Sequence, residues 1–168
     1  MTNTAGEKAV SEIGGNFVFC FNPGDHSLHA VIQTMNKPNG LAFSADERTL
    51  YVSDTGATHK ENGNHHILAW DIEGIQASNP RLFAEISPGI SDGFKVDEAG
   101  QIWSSAADGV HCFASDGELI GKIRTPEVVT NIAFGGRLNS RLFITTSSSL
   151  YTIFVGYAGI PMFNATDA

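Results

Sequence analysis

The sequence is short of cysteine, of basic residues and of long apolar runs, and each shortage removes a class of protein. Cysteine occurs twice in 168 residues, as Cys20 and Cys112. A disulfide-stapled scaffold needs a denser set, so that class is excluded. Both thiols lie inside alternating apolar runs and read as core residues rather than as halves of a disulfide. Lys and Arg number 10 against 18 Asp and Glu, for a formal net charge of −8. No basic cluster is present, which removes a nucleic-acid groove and a patch for anionic membranes. An acidic balance suits a site that gathers a cation, although most acidic proteins are acidic only for solubility. No apolar run approaches the roughly 20 residues of a membrane-crossing helix. Residues 1–15 are polar and carry no basic-then-apolar leader. The chain is therefore read as soluble, with the cytoplasm favoured over export.

Several catalytic signatures are missing as well. There is no Gly-x-Ser-x-Gly elbow and no Gly-Lys-Ser/Thr phosphate loop. The histidines are His26, His29, His59, His65, His66 and His111. His65 and His66 are adjacent, and adjacent residues of a strand point to opposite faces, so the pair reads as loop or edge rather than as a metal site. Asn164-Ala165-Thr166 fits a glycosylation sequon, with no export signal to support its use.

What is abundant is glycine, 18 residues, placed at the ends of short apolar runs. Apolar residues make up 42% and charged residues 17%, which argues against a disordered chain. The runs repeat. Pro38-Asn39-Gly40-Leu41-Ala42-Phe43 is followed by a polar turn and by Leu50-Tyr51-Val52-Ser53-Asp54. Ser91-Asp92-Gly93-Phe94-Lys95-Val96 is followed by a turn and by Ile102-Trp103-Ser104-Ser105. Thr130-Asn131-Ile132-Ala133-Phe134 is followed by a turn and by Leu142-Phe143-Ile144-Thr145-Thr146. Second hairpins lie between these, at Ile67–Ile72 and at Val110–Ile123, and a last copy starts at Leu150. Two hairpins in alternation give a four-stranded antiparallel sheet of about 40–50 residues, the size of a propeller blade. The polar stretch from Gly56 to His66 reads as a loop inserted within one blade. No sustained 3.6-residue periodicity predicts a long helix. The alternative for the same hairpins is a β-sandwich. The sequence thus predicts an all-β chain: a start at 1–13 that is disordered or truncated, a partial β-propeller of about three blades over 14–155, and a tail over 156–168 that is frayed.

Lys37-Pro38-Asn39-Gly40-Leu41-Ala42-Phe43-Ser44 with Thr49–Thr55, then Ser91–Asp97 with Gly100, then Thr130–Gly136 resemble, in that order, successive blades of the gluconolactonase and senescence-marker-protein (regucalcin) family. The resemblance runs from about Gly14 to about Ile153. It implies a six-bladed propeller fold, of which these motifs match the C-terminal half.

The resemblance also implies a site. Asn39 and Asp92 occupy equivalent places in their repeats, each followed by glycine, which lets the backbone turn tightly. Carried over from the family, they are two protein ligands of one divalent ion, and Asp92 is also the catalytic general base. Calcium is the first choice of metal, with zinc, magnesium and manganese as alternatives. The family's third ligand, a glutamate, has no counterpart in this sequence. Thr130, aligned with Asn39, is a candidate site-lining residue. Asp46, Asp97 and Asp116 fall in outer turns and, like Asp54 at a strand end, read as structural. The implied reaction is metal-assisted opening of a sugar lactone or related ester. The small-molecule partner is then a lactone, and a second chain closing the ring is a further candidate partner. The competing reading is an inactive propeller fragment that serves as a binding module or is a truncated gene product. A strictosidine-synthase-like propeller shares the architecture without the Asn/Asp metal pair.

Overall fold

The structure is a computed structural model that describes residues 12–161. Among the described residues, thirteen strands and one short 3₁₀ turn make up the regular structure. The strands are β1 (Val18–Phe21), β2 (Leu28–Ile32), β3 (Pro38–Phe43), β4 (Thr49–Asp54), β5 (His66–Glu73), β6 (Gln76–Glu85) and β7 (Phe94–Val96). They continue as β8 (Ile102–Ala106), β9 (Gly109–Phe113), β10 (Leu119–Arg124), β11 (Val129–Gly135), β12 (Arg141–Thr146) and β13 (Leu150–Phe154). The 3₁₀ turn, Gly56–Thr58, sits in the polar insertion between β4 and β5.

Four antiparallel sheets follow one another in chain order. β1 and β2 form a pair. β3-β4-β5-β6 and β7-β8-β9-β10 are complete four-stranded blades, and β11-β12-β13 has three strands. The repeat read from the sequence is therefore the repeat of the fold.

Polar turns set the hairpins. The Asp46 carboxylate accepts hydrogen bonds from Ser44 Oγ at 2.6 Å and from the Arg48 amide at 3.2 Å. Asp97 accepts from the amides of Ala99 and Gln101 at 3.0 and 2.9 Å. Asp116 accepts from the Glu118 amide at 3.0 Å. A short acceptor bonding the backbone two residues on is the usual chemistry of such turns. All three aspartates are structural, as expected.

The core is divided, and its division gives the architecture. Val18, Ile32, Met35, Leu50, Val52 and Trp70 pack between the first pair and the first full blade. Ile67, Ile86, Phe94, Ile102 and Phe113 pack between the two full blades. Val110, Val129, Ile132, Leu142 and Ile144 pack between the second full blade and the three-stranded one. Each apolar layer is thus shared by two successive sheets, which is the packing of a propeller. Every residue of β9 is buried, because that strand lies inside a sheet covered on both faces. Burial of a side chain such as Phe94 contributes about 2–3 kcal/mol. The outermost sheets have one covered face each, and Phe19, Phe21, Leu28, Leu150 and Phe154 are exposed on them.

Two expectations change. The tail was expected to fray from residue 156, but Ala158–Ile160 is docked. The Glu98 amide donates to the Ala158 carbonyl at 2.8 Å, and the Gly159 amide donates to the Asn139 carbonyl at 2.9 Å. Gly159 is buried and bridges Asp97. Periodicity cannot reveal this contact, because a single bridge carries no repeat. Of the thiols, Cys112 is buried but Cys20 is only half-buried; both are free. The expected irregular start lies almost wholly outside the described residues, as does the Asn164 sequon.

Candidate functional site

Asn39 and Asp92 meet. Asn39 Nδ2 donates to Asp92 Oδ1 at 2.7 Å, although the residues are 53 positions apart. Asn39 lies on β3 at a break in the pairing with β4, between Pro38 and Leu41. Asp92 lies two residues ahead of Phe94, the first residue of the innermost strand of the next blade. A bulge turns one side chain out of the ladder, which is how Asn39 leaves its own sheet to reach its neighbour. Asn39 is exposed and Asp92 half-buried, so the pair is open to a ligand. Asp92 Oδ2 has no hydrogen-bond partner among the described residues.

Close backbone approach brings the corners together. A Cβ on Gly40 would lie 2.5 Å from the Asp92 carbonyl oxygen. A Cβ on Gly93 would overlap the side chain of Asn131. The two glycines thus do more than turn the chain: their missing side chains leave the space in which the next corner sits. Three corners, at Asn39-Gly40, Asp92-Gly93 and Thr130-Asn131, lie in sequence around the site.

A hydroxyl on the second strand of each blade holds each corner. Ser53 Oγ donates to the Gly40 carbonyl at 3.3 Å. Ser105 Oγ accepts from the amides of Asp92 and Gly93 at 2.9 and 3.1 Å. Thr145 Oγ1 donates to the Asn131 carbonyl at 3.1 Å. Sequence reasoning missed these roles. The signal was available, since Ser53, Ser105 and Thr145 fall at one register of the repeat.

The loops entering the corners are pinned too. Asp54, 1% exposed, accepts from the amides of Asn36, Lys37 and Gly56 at 2.8, 2.9 and 3.1 Å, and from Asn64 Nδ2 at 2.9 Å. Burial opposes its charge, but the bonds from Asn64, Asn36, Lys37 and Gly56 outweigh that and hold the carboxyl below its ordinary value. Asp54 is structural, as expected: it ties the approach to Asn39 to the insertion loop. Ahead of the third corner, Glu127 accepts from Ser149 Oγ at 2.8 Å, the Ser148 amide at 2.8 Å and Thr146 Oγ1 at 2.9 Å. These bonds, with Ser149 foremost, lower its carboxyl to about 2.

A pH dependence follows from Asp54. A carboxyl whose folded value is depressed contributes stability above its unfolded value, and loses it as pH falls through the folded one. The Asp54 contribution is therefore complete above about pH 4 and disappears in more acidic solution. Asp54→Ala should cost about 3 kcal/mol near neutrality by leaving the loop amides without an acceptor. Urea unfolding at pH 7 and pH 3 checks this, the difference between variant and parent shrinking at pH 3.

Thr130 sits at the break in its strand pairing that corresponds to that of Asn39. Its Oγ1 donates to the Thr145 carbonyl at 3.2 Å and lies 3.1 Å from Thr145 Oγ1. The residue of that corner that reaches Gly93 is Asn131. His65 and His66 join no metal cluster: His65 Nδ1 lies 2.9 Å from the Ile86 carbonyl, and His66 begins β5. The thiol of Cys112 is pushed up to about 12 by burial first and by Asp97 second, which favours the protonated form at neutral pH.

Asn39 and Asp92 suit a hard cation chemically, being a carboxamide and a carboxylate in hydrogen-bond contact. No group of three or more His, Cys, Asp and Glu side chains that could hold a metal occurs among the described residues. The donor set here is a pair.

The pattern that defines the SMP-30/Gluconolactonase/LRE-like region matches residues 2–148. The chain belongs to that family. A gluconolactonase of Zymomonas mobilis is 31% identical over 156 residues, covering 88% of this chain and 42% of that protein. A solved gluconolactonase from Xanthomonas campestris, described as important in glucose secondary metabolic pathways, superposes with a TM-score of 0.76 at 39% identity. The match covers 86% of this chain and 46% of that one. A calcium-binding regucalcin from Agrobacterium tumefaciens shares the fold at a TM-score of 0.69 and 20% identity, over 88% of this chain and 54% of that one. This member of the SMP-30/gluconolactonase family therefore spans about half the length of these relatives. The propeller read from the repeats is the family's fold, and the four sheets are a part of its ring.

Proposed function

We propose that this chain carries part of the active site of a metal-dependent lactone hydrolase acting on sugar lactones. The observation that carries the reading is the Asn39–Asp92 contact across the seam between two blades, with one carboxylate oxygen left free. The lactonase relatives support the reaction class, and the calcium-binding regucalcin supports the choice of ion.

Asn39 and Asp92 would hold the cation, calcium first, with zinc, magnesium and manganese as alternatives. Such a cation supplies Lewis-acid polarisation of the lactone carbonyl when bound. The chain's own residues do the rest. Asp92 Oδ2 takes a proton from water as the water oxygen bonds to the carbonyl carbon. Asn39 fixes the Asp92 carboxylate through Oδ1, and Ser105 fixes its backbone. The ring C–O bond breaks, and the leaving ring oxygen receives the proton from Asp92, giving the open hydroxy acid.

The test is calorimetric titration with calcium together with acid release from D-glucono-1,5-lactone, each measured with and without a chelator. The expected result is calcium binding and hydrolysis above the buffer rate that the chelator abolishes. Hydrolysis no faster than buffer, with no calcium heat, removes the reading.

A further inference from the structure

The Asn131 carboxamide has a decided orientation and an NH₂ end that is wholly unused among the described residues, whereas Asn39 spends one N–H on Asp92. Asn131 Oδ1 accepts from the Ile132 amide at 2.8 Å. Only the oxygen of a carboxamide can accept from an N–H, so the two ends of the group are distinguished by this bond. Ile132 is 3% exposed, which makes the bond costly to give up. The oxygen end is thus engaged and lies over Gly93, beside Asp92. The NH₂ end has no partner among the described residues, on a residue exposed to solvent. Thr130 and Thr145 differ: their hydroxyls are bonded to each other and to backbone.

A cation takes oxygen, and one lone pair of the Asn131 oxygen is already engaged by the backbone while the oxygen lies against Gly93. What the side chain offers a ligand is N–H. We propose that Asn131 is a substrate-binding residue that donates a hydrogen bond to an oxygen of a hydroxylated lactone held at Asn39 and Asp92, and that it is not an ion ligand. This rests on the lactonase reading for the identity of the ligand. A lactone bearing ring hydroxyls offers this donor more oxygens than an unsubstituted lactone does.

The decisive variant is Asn131→Asp. It keeps an oxygen to accept from the Ile132 amide, matches the native shape, and removes the N–H donor. Asn131→Ala is the second variant, and urea unfolding of both reports any loss of fold. The measurements are calcium affinity by calorimetry, KM for D-glucono-1,5-lactone against δ-valerolactone, and binding of 1,5-anhydro-D-glucitol by ligand-observed NMR. In both variants KM for gluconolactone should rise roughly tenfold, as for loss of one hydrogen bond to a bound ligand. KM for δ-valerolactone should change less than twofold. Asn131→Ala should keep the parent's calcium affinity, and Asn131→Asp should keep or raise it. A loss of calcium affinity in Asn131→Ala with KM unchanged makes the residue an ion ligand and overturns the proposal. Equal rises in KM for both lactones overturn its selectivity for hydroxylated rings. If the parent neither binds calcium nor hydrolyses lactone, the lactonase reading falls by itself. The donor role is then decided by anhydroglucitol, which must bind the parent more tightly than either variant; equal binding, or none, overturns it.

Discussion

Asp92→Ala should abolish lactone hydrolysis and lower calcium affinity on the order of 100-fold or more, since it removes the proposed charged ligand and the proposed proton acceptor together. The side chain is half-buried at a corner whose backbone is held by Ser105, so the fold should survive the change. Calorimetry and acid release on the same preparation separate the two losses. Asp92→Asn keeps the shape and an oxygen but not the charge, and should retain weak calcium binding without turnover. Asn39→Ala removes a neutral partner and should weaken both properties by roughly tenfold. Unchanged turnover in Asp92→Ala would end the proposed chemistry.

Gly40→Ala should be the most damaging single-methyl change at the site. The added carbon would meet the Asp92 carbonyl oxygen at 2.5 Å and a ring carbon of Phe94 at 3.2 Å. The first of these atoms is backbone and cannot swing aside, so the two blades must separate. Overpacking of this kind costs about 1–3 kcal/mol. The same separation lengthens the Asn39–Asp92 contact, so calcium affinity should fall by roughly tenfold or more, although neither proposed ligand is altered. Unfolding midpoint and calcium titration should change together. A destabilised variant with native calcium affinity would show that the seam does not position the pair.

The sheets were legible in the sequence because a repeated hairpin writes its period into apolar spacing. Leu41 and Phe43, Phe94 and Val96, and Ile132 and Phe134 mark the same strand three times, and each became an innermost strand. The Asn39–Asp92 pair was legible by the same register, since equivalent residues of adjacent blades must lie side by side. The hydroxyls of Ser53, Ser105 and Thr145 were harder to find, because serine and threonine close strands for many reasons and only the hydrogen bonds identify these as corner supports. Asn131 was passed over because the repeat aligns it with glycines; its significance comes from the space Gly93 leaves. The docking of Ala158–Ile160 depends on distant partners, Glu98 and Asn139, and leaves no local pattern.

The placement of the Asn39–Asp92 pair across a seam has a thermodynamic corollary. Asn39 belongs to one blade and Asp92 to the next, so an ion bridging them would act as a clasp on the joint itself. Opening the joint would release the ion, and free ion in solution would press the joint closed by mass action, by about 2.7 kcal/mol at a hundredfold excess over the dissociation constant. Occupancy of the site and cohesion of neighbouring blades would then be two readings of a single equilibrium.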